Sequence, residues 1–107
     1  MSPAQAEWLR DLPLSLLLEG DVRLSHGTPD NDQAYCLETV LPGFGESGSP
    51  GVRPATPEEV QSRLGAVRHS LVLCGHTHVP RMAQREGTLI VNPGSVGLQA
   101  YDDPHPY

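Results

Sequence analysis

Two histidines stand two positions apart in Gly75-His76-Thr77-His78, directly after the apolar run Leu71-Val72-Leu73-Cys74. Neutral imidazoles bind borderline divalent ions well, and a strand end holds their rings at set angles. A buried strand over Leu71 to Cys74 would deliver both histidines at its carboxyl end, where open α/β sheets build their sites. Two further strand exits carry related chemistry. His26-Gly27 follows Val22-Arg23-Leu24-Ser25, and Asn92-Pro93-Gly94-Ser95-Val96-Gly97 follows another apolar run. Three such exits read as one edge of a sheet with half of an active site on it. Asn92 to Gly97 reads as a turn whose backbone shapes that edge.

The elements that must position these residues are marked by local signals. Ser2-Pro3-Ala4-Gln5 has the form of a capping box and predicts a helix to about Asp11, burying Trp8 and Leu9. Leu14 to Leu18 and Val22 to Ser25 flank Glu19-Gly20-Asp21 and predict a hairpin that ends at His26. Asp30 or Asn31 is expected to cap a short helix to about Thr39, with Ala34, Leu37 and Val40 inward. From Leu41 to Pro54 the composition turns to Gly, Pro and Ser, which predicts a mobile loop within a single domain over 1–107. Thr56-Pro57-Glu58-Glu59 starts a second helix, with Val60, Leu64 and Val67 at helical spacing. That helix leads into the Leu71 strand, an α/β succession. Arg81 to Gln84 and Thr88 to Val91 flank Glu86-Gly87 as a second hairpin, and Leu98 to Tyr107 shows no strand pattern.

The bulk numbers narrow the classes of function. With 107 residues there is room for one small domain. A net charge of -6, with all seven basic residues scattered arginines, argues against a nucleic-acid-binding stripe. No apolar run approaches the roughly 20 residues of a membrane span, and Met1-Ser2-Pro3-Ala4 has no signal-peptide character, so a cytoplasmic location is expected. Cys36 and Cys74 read as reduced, buried thiols; ligation of metal by Cys74 is the lesser alternative.

Taken in order, His26-Gly27, the Thr56 helix, Gly75-His76-Thr77-His78 and Asn92-Pro93-Gly94-Ser95 resemble the C-terminal half of a calcineurin-like metallophosphoesterase, of the small bacterial YfcE-like phosphodiesterase branch. The similarity runs from Trp8 to Asp103. It implies part of a four-layer α/β/β/α sandwich with two metal ions at the sheet edge. Carried over by residue, His26 and His76 would ligate one ion and His78 the other. The ions would be divalent, with Mn, Zn, Fe and Ni not distinguished, and the substrate a phosphomonoester or phosphodiester. The family pattern also places an Asp-x-His pair, a Gly-Asp and a Gly-Asn-His-Asp or Glu ahead of the segment that opens this chain. Those motifs are not found in that place, and they would supply the bridging carboxylate and the histidine that protonates the leaving group. The chain by itself is therefore expected to be inactive, to expose one apolar sheet face, and to pair as a homo-oligomer or with a complementary N-terminal chain. The alternative is a non-catalytic interaction module on the same fold. His69 and His105 are expected at the surface, and Asp30, Asp32, Asp102 and Asp103 in a cap and a solvated tail rather than as ligands.

Overall fold

The computed structural model of the chain describes residues 1–98 and 100. The described residues form a mixed α/β fold of nine elements: α1 (Pro3–Arg10), β1 (Ser15–Leu18), β2 (Val22–Ser25), β3 (Glu38–Val40), β4 (Val52–Pro54), α2 (Pro57–Leu64), β5 (Leu71–Leu73), β6 (Arg81–Arg85) and β7 (Thr88–Asn92). Five strands form one sheet in the order β1-β2-β5-β7-β6. The three central strands β2, β5 and β7 run parallel, and β1 and β6 close the edges antiparallel. β3 and β4 make a separate two-stranded sheet.

Both helices start as their sequences predict. Ser2 accepts from the Gln5 backbone while Gln5 reaches back to Ser2, and Thr56 and Glu59 do the same at α2, with a proline in each first turn. Each box is built from residues three apart, so no tertiary contact is needed to form it. Both expected hairpins form as well, with Gly20 and Gly87 in left-handed backbone at their turns.

The strand register sorts the sheet into two unlike faces. One carries Val72, Cys74, Ile90 and Ala83, and it packs with Val60 and Leu64 of α2 and with Cys36 and Leu37 to make the core. The other carries two rows across all five strands: Leu16, Leu24, Leu73, Val91 and Met82, then Leu18, Val22, Leu71, Leu89 and Gln84. Among the described residues no helix or strand packs on this second face. Met82 is 75% exposed and Leu16 46%, far above what side chains of a closed core show.

Several expectations are corrected. α1 forms, but it buries nothing: Trp8 is 64% and Leu9 48% exposed, because no other element packs against the helix. The helix expected from Asp30 or Asn31 to Thr39 is absent. The Asp30 carboxylate is taken by the Thr28 hydroxyl at 3.0 Å, and Asn31 Oδ1 accepts the Gln33 N–H at 2.9 Å, so the capping groups close a turn instead. Leu37 is buried as expected, but Val40 is exposed. The segment expected as a loop from Leu41 to Pro54 ends in β4, which pairs with β3 from Glu38↔Pro54 to Val40↔Val52.

That small hairpin is docked by arginine. Arg63 of α2 donates to the carbonyls of Cys36 and Glu38 and to the Thr39 hydroxyl, and Arg81 of β6 donates from Nε to the fully buried Glu38 carboxylate at 3.0 Å. Glu59 accepts from Arg53, Thr39 and Thr56, and the Arg53 guanidinium first among these holds its carboxyl well below the usual carboxylate range. Whatever Glu59 contributes is therefore present above its ordinary pKa and lost only in strongly acid solution.

Candidate metal centre at the parallel strand ends

Because β2, β5 and β7 are parallel neighbours, their carboxyl ends share one rim, and the three motifs singled out in the sequence all leave from it. His26 follows β2, the Gly75 to His78 loop follows β5, and Asn92 ends β7. The His26 and His76 rings stand 4.7 Å apart between centroids, tilted by 43°. Gly27 is required beside them, since a Cβ there would collide with the carbonyl oxygens of Asn31 and Ala34.

The irregular segment after Gly27 supports His76. The Tyr35 ring meets it edge-on at 4.7 Å, and its Nε2 lies 3.3 Å from the Gln33 carbonyl. A carbonyl only accepts, so in the neutral ring this contact puts the proton on Nε2 and leaves the Nδ1 lone pair for a ligand. His76 and His78 both lie in left-handed backbone, at φ +74° and +62°. For residues with a Cβ this costs about 1–2 kcal/mol each, and strain of that kind collects at functional sites.

The loop is held from beneath by Asn92, which is 2% exposed. Its Nδ2 donates to the Gly75 carbonyl at 2.9 Å and to the Thr77 hydroxyl at 3.0 Å, and its Oδ1 accepts the Gly94 N–H at 2.9 Å. The sequence predicts only a backbone role for this segment. The signal that could have identified the side chain was a buried-strand register that places an amide inward at the last position of β7, next to two loops.

The rim carries a partial donor set. His26 and His76 are together, and His78 lies on the same loop, but among the described residues no group of three or more His, Cys, Asp or Glu converges. Two close imidazoles with a free lone pair fit a borderline divalent ion as part of its coordination shell. Asp30 and Asp32 lie off this set: Asp30 bonds Thr28, and Asp32 accepts from Gln33. Asp102, Asp103 and His105 lie outside the described residues, as does most of the segment from Leu98 onward. His69, expected at the surface, is half-buried and pairs through Nδ1 with Asp21 at 2.7 Å. That contact, with the Ser70 N–H, holds the Asp21 carboxyl below its ordinary value. Asp21 lies just ahead of β2, at the opposite end from His26, where an open cavity of about 500 Å³ lies between Asp21, Arg23, Leu64, Arg68 and His69. None of the motif histidines lines it.

Cys36 and Cys74 are both free and buried, as expected, and the Cys74 thiol donates to the Val91 carbonyl at 3.7 Å. The neighbouring Cys36 thiol, together with burial, pushes the Cys74 thiol far up, which is unlike a metal-binding thiolate. Cys74 belongs to the core face, beneath the histidine loop.

A family model for the calcineurin-like phosphoesterase superfamily domain matches residues 5–107. The chain belongs to this superfamily, and its mixed sheet with α2 on one face is part of a metallophosphoesterase fold. No curated protein and no solved structure matches the chain. Among the described residues no helix is long and apolar enough to cross a membrane.

Proposed function

We propose that this chain contributes the imidazole side of a two-metal phosphoesterase centre, with His26 and His76 as ligands to one divalent ion and His78 as a ligand to the other. The observation that carries the reading is the 4.7 Å approach of the His26 and His76 rings at neighbouring parallel strand ends, in a chain that belongs to the superfamily. When bound, such ions supply a hydroxide at neutral pH and neutralise phosphoryl charge. The chain's own part is to fix ring angles through Gln33, Tyr35 and Asn92. The bridging carboxylate and the proton donor for the leaving group come from another segment, which carries Asp-x-His and Gly-Asn-His motifs. Its place is the uncovered sheet face, where a second apolar layer would bury Leu16, Leu24, Leu73, Val91 and Met82.

Mixing the chain with a separately expressed polypeptide bearing those motifs and Mn²⁺ is expected to start hydrolysis of a chromogenic phosphodiester that neither piece hydrolyses alone. Metal uptake by the mixture without turnover would sink the reading. The uncovered face favours a second reading, a non-catalytic interaction module whose apolar rows bind a protein partner. A His76→Ala, His78→Ala double substitution separates the two: a module keeps its partner and the mixed enzyme loses turnover. By itself the chain is expected to run as an oligomer in size-exclusion chromatography with light scattering. A monodisperse, cooperatively melting monomer would mean that the face does not need a partner.

A further inference from the structure

We infer that the Asn92 side chain is the positioning residue of the histidine loop, holding Gly75 and Thr77 so that His76 and His78 present their rings at the rim; this rests on the metal-centre reading above. Gly75 and Thr77 flank His76 in the chain, and the single Asn92 amide group donates to both. The neighbours of the strained histidine are therefore tethered to one buried point at the end of β7. The opposite atom of the same side chain accepts the Gly94 N–H, which orients the amide and leaves Nδ2 no other direction to donate. Gly94 itself closes on the loop, for a Cβ there would press on Pro80 at 3.3 Å. Two left-handed histidines within three residues would relax to ordinary backbone without such a tether, and the His76 ring would swing away from His26. Asn92 touches no reacting atom, so its effect on metal is exerted through His76 and His78.

The test sets Asn92→Asp and Asn92→Ala against Thr88→Val. Thr88 is equally buried at the other end of β7, and its hydroxyl donates to the His69 carbonyl at 2.7 Å, so the control loses a similar bond away from the rim. Zn²⁺ affinity is read by titration calorimetry, melting temperature in chelator, and backbone chemical shifts of His76 and His78 in metal-free protein. Both Asn92 variants should bind Zn²⁺ about 10- to 100-fold more weakly, the range for loss of an outer-shell partner. Their His76 and His78 shifts should leave the left-handed range. Thr88→Val should melt lower and keep its affinity. Unchanged affinity in Asn92→Asp, or an equal loss in Thr88→Val, would overturn the inference. Should an Asn92 variant not fold, Thr77→Val removes one anchor with Asn92 intact and Thr77→Ser restores it. If the unsubstituted chain takes up no Zn²⁺ even when mixed with the polypeptide bearing the Asp-x-His and Gly-Asn-His motifs, the metal reading fails; the metal-free shifts then decide the positioning role, which stands if they move in Asn92→Asp and falls if they do not.

Discussion

His78→Gly is expected to make the protein more stable and a poorer metal binder at the same time. A histidine at φ +62° pays for its Cβ against the backbone, and glycine does not. After the larger unfolded-state entropy of glycine is subtracted, the gain is up to about 1 kcal/mol, or about 4–8 °C in melting temperature for a domain of this size. Loss of a ligand should weaken divalent-metal uptake at least as much as loss of an outer-shell partner, by about 100-fold. Calorimetric titration and thermal melting in chelator measure the two effects separately. Glu86→Gly is the control, because Glu86 is also left-handed, at φ +47°, but sits in the exposed β6–β7 turn far along the sheet. It should gain stability with no change in metal uptake. A lower melting temperature with unaltered affinity in His78→Gly would make His78 a structural residue and remove it from the centre.

Arg81→Leu is expected to cost about 3 kcal/mol, the low end for stripping a buried carboxylate of its partner. Glu38 is 2% exposed, and Arg81 Nε is 3.0 Å from its Oε1. Without the guanidinium the charge must stay unpaired or take up a proton, and either destabilises the docked β3–β4 hairpin. Against a total stability of roughly 5–15 kcal/mol for a domain, the loss is large enough to lower the melting temperature by more than about 10 °C. The double variant Glu38→Met, Arg81→Leu should recover most of it, since an apolar pair leaves nothing uncompensated. Denaturant melts of the four forms close the cycle. A single variant within about 1 kcal/mol of the parent would mean that water already reaches Glu38. The effect on the rim should be indirect, through the 28–37 segment that leads to this hairpin and presents Gln33 and Tyr35 to His76.

The parts of the fold that were legible in the sequence are those made by residues close in the chain. Ser2 with Gln5, Thr56 with Glu59, and the glycine turns at Gly20 and Gly87 complete their own hydrogen bonds or backbone geometry within three or four positions. The β3–β4 hairpin escaped because its partners are separated by a long Gly- and Pro-rich connection, and arginines from α2 and β6 hold it. The same limit explains the missing helix after Asp30. Cap residues in sequence compete for turns as readily as for helices, and here Thr28 and the Gln33 amide had first claim on them.

For the site, the sequence by itself determined which donors stand where strands end: His26 follows the alternating Val22 to Ser25, and His76 and His78 follow the apolar Leu71 to Cys74, a pattern that needs no partner to be read. What only the tertiary structure decided is that two of those rings meet. Parallel pairing of β2 with β5 and β5 with β7 joins segments far apart in the chain, and only that pairing brings His26 to within 4.7 Å of His76 and seats Asn92 under the loop. Such contacts follow from burying Val72 and Ile90 against α2, a long-range event that no local spacing encodes.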